Sequence, residues 1–487
     1  MVGKWLAGGV LALVPAFALA EQAPVAQAWR AIAAADSAAA LKLIEENHPG
    51  ATQELGDTQF LARLALARRH VEERLPKVDS FGAYNALMNG LAAEFRDGHI
   101  WTAPHVSWAV RKWPGIMPVR RGGKWYVGLD ERKQGGAGLR DAEILACDGE
   151  EFDRWAKTRI GLFGGPPEIE AELSKRAPGL LLDDANPFIK APSACTFRTV
   201  AGATEQVQLE FRQVLQTGLS ERAARIIPRA AAGMGVSKFD GGYWIALGTL
   251  GNAAADVVKA VSEQAEALRS APMVVIDMRG NTGGNSIYSS EIARILHGRA
   301  RVDALDISAD GCRGSYWRVS EQNRKTVTAA RDAARARKDN DSAAYYAQVA
   351  DDMTKAMTEG RNFSPALPAC AASVRTVDQG KVPASLPAPA MQGRLVIVTD
   401  SRCFSSCLLA TNAFRQLGAL HVGEATDMST RYMEVYEVML PSGMRTFSTL
   451  QKVAVGLGDY GPYQPHKLYP GSLADTDPLK AWVAALR

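Results

Sequence analysis

Residues 274–284 read VVIDMRGNTGG, an apolar run that enters a glycine-rich turn. Three successive apolar residues with no polar alternation predict a strand buried on both faces. Gly280, Gly283 and Gly284 follow within eight residues of its end. Turns of this kind leave backbone N–H groups pointing outward, which suits an anion. The anion could be a phosphate or the oxyanion of an acyl-transfer intermediate. Neither the G-x-x-x-x-G-K nor the G-x-G-x-x-G spacing is present, so the phosphate reading is the poorer one.

Working outward, YWIALGTL (243–250) reads as a strand and AADVVKAVSEQAEALRS (254–270) as a helix. NSIYSSEIARILHG (285–298) is helical again, and RLVIVTD (394–400) is a second buried strand. Continuous apolar strands alternating with helices predict an α/β fold, with a largely parallel sheet covered on both faces. The second buried strand leads into a second turn, in LVIVTDSRCFSSCLLATNAF (395–414). A serine there would sit at a strand's carboxyl end, where open α/β sheets place their ligands. Ser405 and Ser406 therefore admit two readings, a nucleophile on a strand-to-helix turn or a plain helix cap.

The rest of the 487 residues has a different texture. Residues 27–96 carry apolar side chains at three- and four-residue intervals, as amphipathic helices do. Short strand-like segments divided by Gly, Asp and Pro fill 114–214, a β-rich domain of ordinary size. Residues 319–358 predict a charged helical hairpin turning at KDND, within an insertion spanning 313–362. Lys4, the apolar stretch after it and Ala18-Leu19-Ala20 form a secretory signal peptide cut after residue 20. The expected division is thus 1–20 signal, 21–113 helical, 114–214 β-rich and 215–487 core. A periplasmic or secreted location follows, with no transmembrane segment after cleavage.

Export bears on the six cysteines, which in an oxidising compartment suggest disulfides. Proximity suggests Cys147–Cys195, Cys312–Cys370 and Cys403–Cys407, although six cysteines permit fifteen pairings. No ligand spacing supports a metal, and no cofactor is expected. The formal charge of +4 is small and dispersed, which gives no support to a nucleic-acid partner.

VIDMRGNTGG followed by VTDSRCFSSCLLATNAFRQLGALHVGEAT resembles peptidase family S41, which includes the C-terminal processing proteases and tricorn-like enzymes. AEFRDGHIWTAP is similar to that family's D-x-H-[ST] segment, and GLRDAEILACDGEEFDRW to a stretch of a PDZ-like domain. The resemblance implies a crotonase-like or ClpP-like core with parallel sheet, an N-terminal helical segment and an inserted PDZ-like domain. It puts the nucleophile on Ser405, and the oxyanion donors on the Ser406 amide and an amide of Gly283 or Gly284. The Cys403–Cys407 bridge would then pin the turn that carries Ser405.

One departure matters. The processing proteases place a lysine shortly after G-E-x-T, whereas GEATDMSTRY has Ser429 at that point and no lysine. Arg431 cannot substitute, because a guanidinium keeps its proton. The resemblance to the tricorn-like branch offers His99 as base, with Asp459 as a carboxylate to orient it. Lys452, in STLQKVAVG, is the other candidate base, were burial to lower its pKa. These residues predict an exported serine endopeptidase acting on peptides or unfolded protein. A catalytically degenerate peptide- or ligand-binding protein of the same fold is the alternative, and a hydrolase of non-peptide esters fits the same residues.

Overall fold

The computed structural model describes residues 17–106, 109–132, 138–227, 232–305, 314–372, 386–455 and 460–486. Its central sheet has six strands, in the order Met234–Phe239, Gly242–Leu247, Met273–Asp277, Arg394–Thr399, Leu420–Gly423 and Lys467–Leu468. The first two form an antiparallel hairpin and all later neighbours run parallel. Val274, Val275 and Ile276 are wholly buried because both faces of the sheet are covered. Val274 and Ile276 pack on the helices Ala254–Glu263, Ile287–His297 and Ser406–Gln416. Val275 faces the other way, onto Leu479 and Val483 of the helix Thr476–Ala484. The segment 254–270, expected as one helix, breaks at Gln264 and resumes as Ala265–Ser270.

A second sheet is built from distant parts of the chain. Arg445–Val455 pairs with Thr102–Pro104 and Gly314–Arg318 on one side and Tyr432–Met439 on the other. The helices Phe17–Asn47, Thr58–Arg74 and Phe81–Glu94 share one apolar core with this sheet, through Ile44, Leu64, Leu91, Leu450 and Val453. The N-terminal helices are thereby part of the body that carries the site. The first of them runs through the expected signal cleavage point.

The β-rich insert folds around its own core of Trp125, Ile144, Phe152 and Phe197. Its sheet runs Ile116–Arg121, Lys124–Asp130, Glu143–Cys147, Ala194–Arg198, Thr204–Gln208. Cys147 and Cys195 stand opposite one another in register and are bridged. Below the sheet, Val110–Trp113 pairs antiparallel with Arg212–Leu215, so the chain enters and leaves the insert through one ribbon.

The hairpin expected over 319–358 forms as Glu321–Ala336 and Asn340–Thr358, capped by Ser320 and Asp339. Its inner face packs on Trp317 through Val327, Val349 and Met353. The expected Cys312–Cys370 pairing falls outside the described residues. Among the described residues no helix is long and apolar enough to cross a membrane.

Candidate active site

Two turns meet at the carboxyl ends of the neighbouring strands Met273–Asp277 and Arg394–Thr399. The first is held by a buried ion pair. Arg279 Nε and Nη2 donate to the Asp277 carboxylate at 2.9 and 2.7 Å, with both side chains inaccessible to solvent. Trp244 Nε1 completes the carboxylate at 3.0 Å. The guanidinium also reaches Leu473 O at 2.5 Å and Thr476 Oγ1 at 3.0 Å, which ties the turn to the C-terminal helix. Asn281 spans the glycines, donating to Leu247 O at 2.7 Å and accepting from the Gly283 amide at 2.8 Å. Gly283 has φ +104°, and a Cβ there would lie 2.7 Å from Ser405 Cβ. Glycine is thus required for the two turns to touch.

The second turn is held differently. Asp400 accepts from the amides of Gly280 at 2.9 Å and Arg402 at 3.1 Å, which joins the turns backbone to carboxylate. Burial pushes this carboxyl up to about 6, against the pull of those two amides. Cys403 and Cys407 are bridged and buried, one on each side of Ser405 and Ser406. Ser405 has φ 56° and ψ −126°, a conformation that costs a residue with a Cβ on the order of 1–3 kcal/mol. It occupies the N-cap position of Ser406–Gln416, yet its side chain makes no cap hydrogen bond. The cap reading therefore fails for Ser405. Ser406 does not cap either, since its hydroxyl donates across to Gly284 O at 2.6 Å.

His99 lies beside this turn, after the helix Phe81–Glu94. Its ring meets that of Phe404 with centroids 4.4 Å apart, and a Cβ on Gly98 would come within 2.8 Å of the same phenyl ring. The residue preceding Ser405 thus packs directly on the imidazole. Asp97 Oδ1 receives the His99 backbone amide at 2.8 Å and faces Nδ1 at 3.1 Å. A carboxylate only accepts, so Nδ1 carries the hydrogen and Nε2 is left as the basic nitrogen. Nε2 has no hydrogen-bond partner among the described residues. Burial of Asp97 favours its neutral form, but His99 and the Thr430 hydroxyl outweigh this and hold the carboxyl below its ordinary range. Ser429 Oγ adds a long contact of 3.5 Å to Nδ1.

Asp97 is the residue that sequence reading overlooked as an orienting carboxylate. The signal was the D-x-H spacing itself, because a side chain two residues back can receive both the amide and the ring nitrogen. Asp459, assigned that role from the sequence, lies outside the described residues. Lys452 requires a correction. Its ammonium stands 3.4 Å from Tyr345 Oη, with the rings of Trp317 and Tyr345 near 5.4 and 5.9 Å. It lies beneath the helical hairpin, engaged by aromatic neighbours, and makes no contact with Ser405.

The oxyanion assignment narrows. The Gly283 amide is taken by Asn281, whereas those of Gly284 and Ser406 have no acceptor among the described residues. A cavity of about 600 Å³ opens between the helix Phe81–Glu94, the β-rich insert and the two turns. Gly98, Thr282 and Phe404 line it, each the immediate neighbour of His99, Gly283 or Ser405. Among the described residues no group of acidic, histidine or cysteine side chains could hold a metal ion.

Comparison with known proteins bears on the whole arrangement. Residues 236–454, the stretch holding both turns, match the model of peptidase family S41. No curated protein sequence matches the chain. The crystal structure of mature CPAF is similar over 94% of this chain and 97% of its own, with 14% identity and a TM-score of 0.58. Mature CPAF complexed with lactacystin is similar over 94% of this chain and 98% of its own, again at 14% identity, with a TM-score of 0.55. At that identity the likeness concerns the fold, and it extends beyond the matched stretch to the helices and the insert. The stretch 236–454 is thus of the peptidase family S41 type, and the match supports a serine-type peptidase.

Proposed function

We propose that the protein is an exported endopeptidase that cleaves peptide bonds through an acyl-enzyme on Ser405. The observation that carries this reading is the Ser405 hydroxyl, which is held at a strained φ on a strand-to-helix turn and is spent on no cap. A side chain kept in that conformation without a structural hydrogen bond fits a nucleophile. His99 Nε2 takes the Oγ proton as Oγ bonds to the substrate carbonyl carbon. Asp97 holds the ring in the required tautomer and stabilises the imidazolium that forms. The developing O⁻ faces the Gly284 and Ser406 amides, whose dipoles are fixed before reaction begins. Imidazolium then returns the proton to the leaving amine, and water attacks the ester by the same route in reverse.

His99 and Ser405 share no hydrogen bond among the described residues, only the Phe404 contact. Catalytic hydrogen bonds in free enzymes are commonly long and tighten around substrate. The same gap is the observation that favours the second reading, a binding protein that keeps the fold without turnover. Export rests on the leader-like first twenty residues and on the two buried disulfides, which suit an oxidising compartment.

Incubation with an unfolded protein, followed by mass spectrometry of new termini, tests the proposal. Wild type should generate fragments and Ser405→Ala none. Equal fragmentation by both would overturn the assignment, and peptide binding without cleavage by wild type would favour the second reading. Export predicts that protein secreted by a bacterial host begins at Glu21.

A further inference from the structure

We infer that the wall of the cavity formed by Asn85, Asn89 and Arg445 is a subsite for a carboxylate of the bound peptide. This rests on the reading of the cavity as the peptide cleft.

Arg445 is 1% exposed and, among the described residues, touches no carboxylate. Its Nε donates to Thr102 Oγ1 at 3.0 Å, Nη2 to Asn89 Oδ1 at 2.7 Å and Nη1 to Asn85 Oδ1. Every acceptor is neutral. A buried cation is ordinarily paired, because removing it from water is costly. Here burial lowers the guanidinium to about 10, although nearby Tyr84 and Asp36 pull the other way, as a bound anion would.

Asn85 and Asn89 connect the guanidinium to the cavity. They stand four residues apart on one face of the helix Phe81–Glu94. Arginine has donors only, so each amide must turn its oxygen to Arg445 and its NH₂ away. Both NH₂ groups are without a hydrogen-bond acceptor among the described residues, and neither is sealed from solvent. Both residues line the cavity, as does Arg445. The wall thus presents N–H donors to the cavity with a buried positive charge behind them, which is what a carboxylate requires.

The charge elsewhere in the cavity agrees. Six basic and four acidic side chains line it, and each acid already has a basic partner. Asp97 is met by His99, Asp184 by Arg159, and Glu172 and Asp427 by Lys175. Arg402, three residues before Ser405, has no side-chain hydrogen bond among the described residues. Arg96 and Arg176 are paired in turn with Glu168 and Glu172, so by count the lining is more basic than acidic. A substrate carboxylate could come from an acidic side chain or from the chain's own C-terminus.

Four fluorescent peptides of one sequence separate these sources, carrying Glu or Gln internally and a free or amidated C-terminus. Their Kd values would be measured on the intact chain bearing Ser405→Ala, so that binding is read without turnover. A carboxylate should tighten binding about tenfold, as expected when a charged acceptor replaces a neutral one. Dependence on Glu assigns the side chain, and dependence on the free end assigns the terminus. Values within twofold across all four peptides overturn the proposal. Asn89→Asp places an acid against Arg445, so the fold should hold its Tm while the preference disappears. A preference that survives Asn89→Asp also overturns it. Turnover of the same peptides by wild type reports separately on the peptidase reading. Cleavage without preference fails the subsite alone, whereas preference without cleavage fails the peptidase reading alone.

Discussion

The turns at 277–284 and 399–406 end neighbouring parallel strands and face one another, yet they are fixed by different means. The first relies on side chains: a buried Asp277–Arg279 pair, an asparagine bridge and glycines that admit close contact. The second encloses a serine of positive φ within a short disulfide ring and hangs from the first through Asp400. The difference teaches that a strained residue needs a stiffer frame than a relaxed one. Glycines adopt the first turn's conformation at little cost, whereas Ser405 must be kept in place by its surroundings.

The sharpest way to break the comparison is Asp277→Ala. It leaves Arg279 buried without its charge partner, and thermal or urea unfolding should show a loss of about 3–5 kcal/mol. A loss below 1 kcal/mol would mean that the ion pair does not secure the first turn.

Next in size is the pH dependence of the link between the turns. Asp400 is raised in the folded protein, to about 6 from an unfolded value of 3.8, so the native state binds the proton more tightly than the unfolded state. Stability from this group is therefore greatest below pH 4 and falls as pH rises through about 6. The two values imply a cost of about 3 kcal/mol at neutral pH, at 1.36 kcal/mol per unit. Asp400→Asn lacks the titration, so its stability relative to wild type should improve between pH 4 and pH 7.5. A constant difference across that range would remove Asp400 as the group responsible.

The second turn offers a smaller effect on stability. Cys403→Ala/Cys407→Ala opens a five-residue ring, worth about 2 kcal/mol on a chain-entropy estimate. Activity should fall by more than this loss of stability explains, because the ring frames Ser405. Proportionate losses would reduce the disulfide to a general staple. Lys452→Ala should do least, costing up to about 1 kcal/mol from its aromatic contacts and leaving turnover unchanged.

Much of this arrangement was legible in the sequence. The unbroken apolar runs of 274–276 and 395–398 declared strands covered on both sides, and the hairpin's turn at KDND was marked by local residues. Contacts between distant segments were not legible. Pairing of Thr102–Pro104 with Arg445–Val455 brings the D-x-H segment beside the serine turn, across more than three hundred residues. No periodicity encodes such a register. The carboxylate for His99 was sought near the C-terminus, whereas Asp97 makes the contact from two residues away. Gly283 was offered as an oxyanion donor without allowing for Asn281, whose side chain competes locally for that amide. Lys452 showed the right chemistry in the sequence, but its strand presents it to Trp317 and Tyr345.

The central claim is that Ser405 is activated by His99, with Asp97 as its orienting carboxylate. Labelling of the purified protein with a fluorophosphonate, read by peptide mass spectrometry, tests it most directly. Modification at Ser405 is expected in wild type and in Lys452→Ala, with loss in His99→Ala and Ser405→Ala. Undiminished labelling of His99→Ala, or loss of labelling in folded Lys452→Ala, would contradict it.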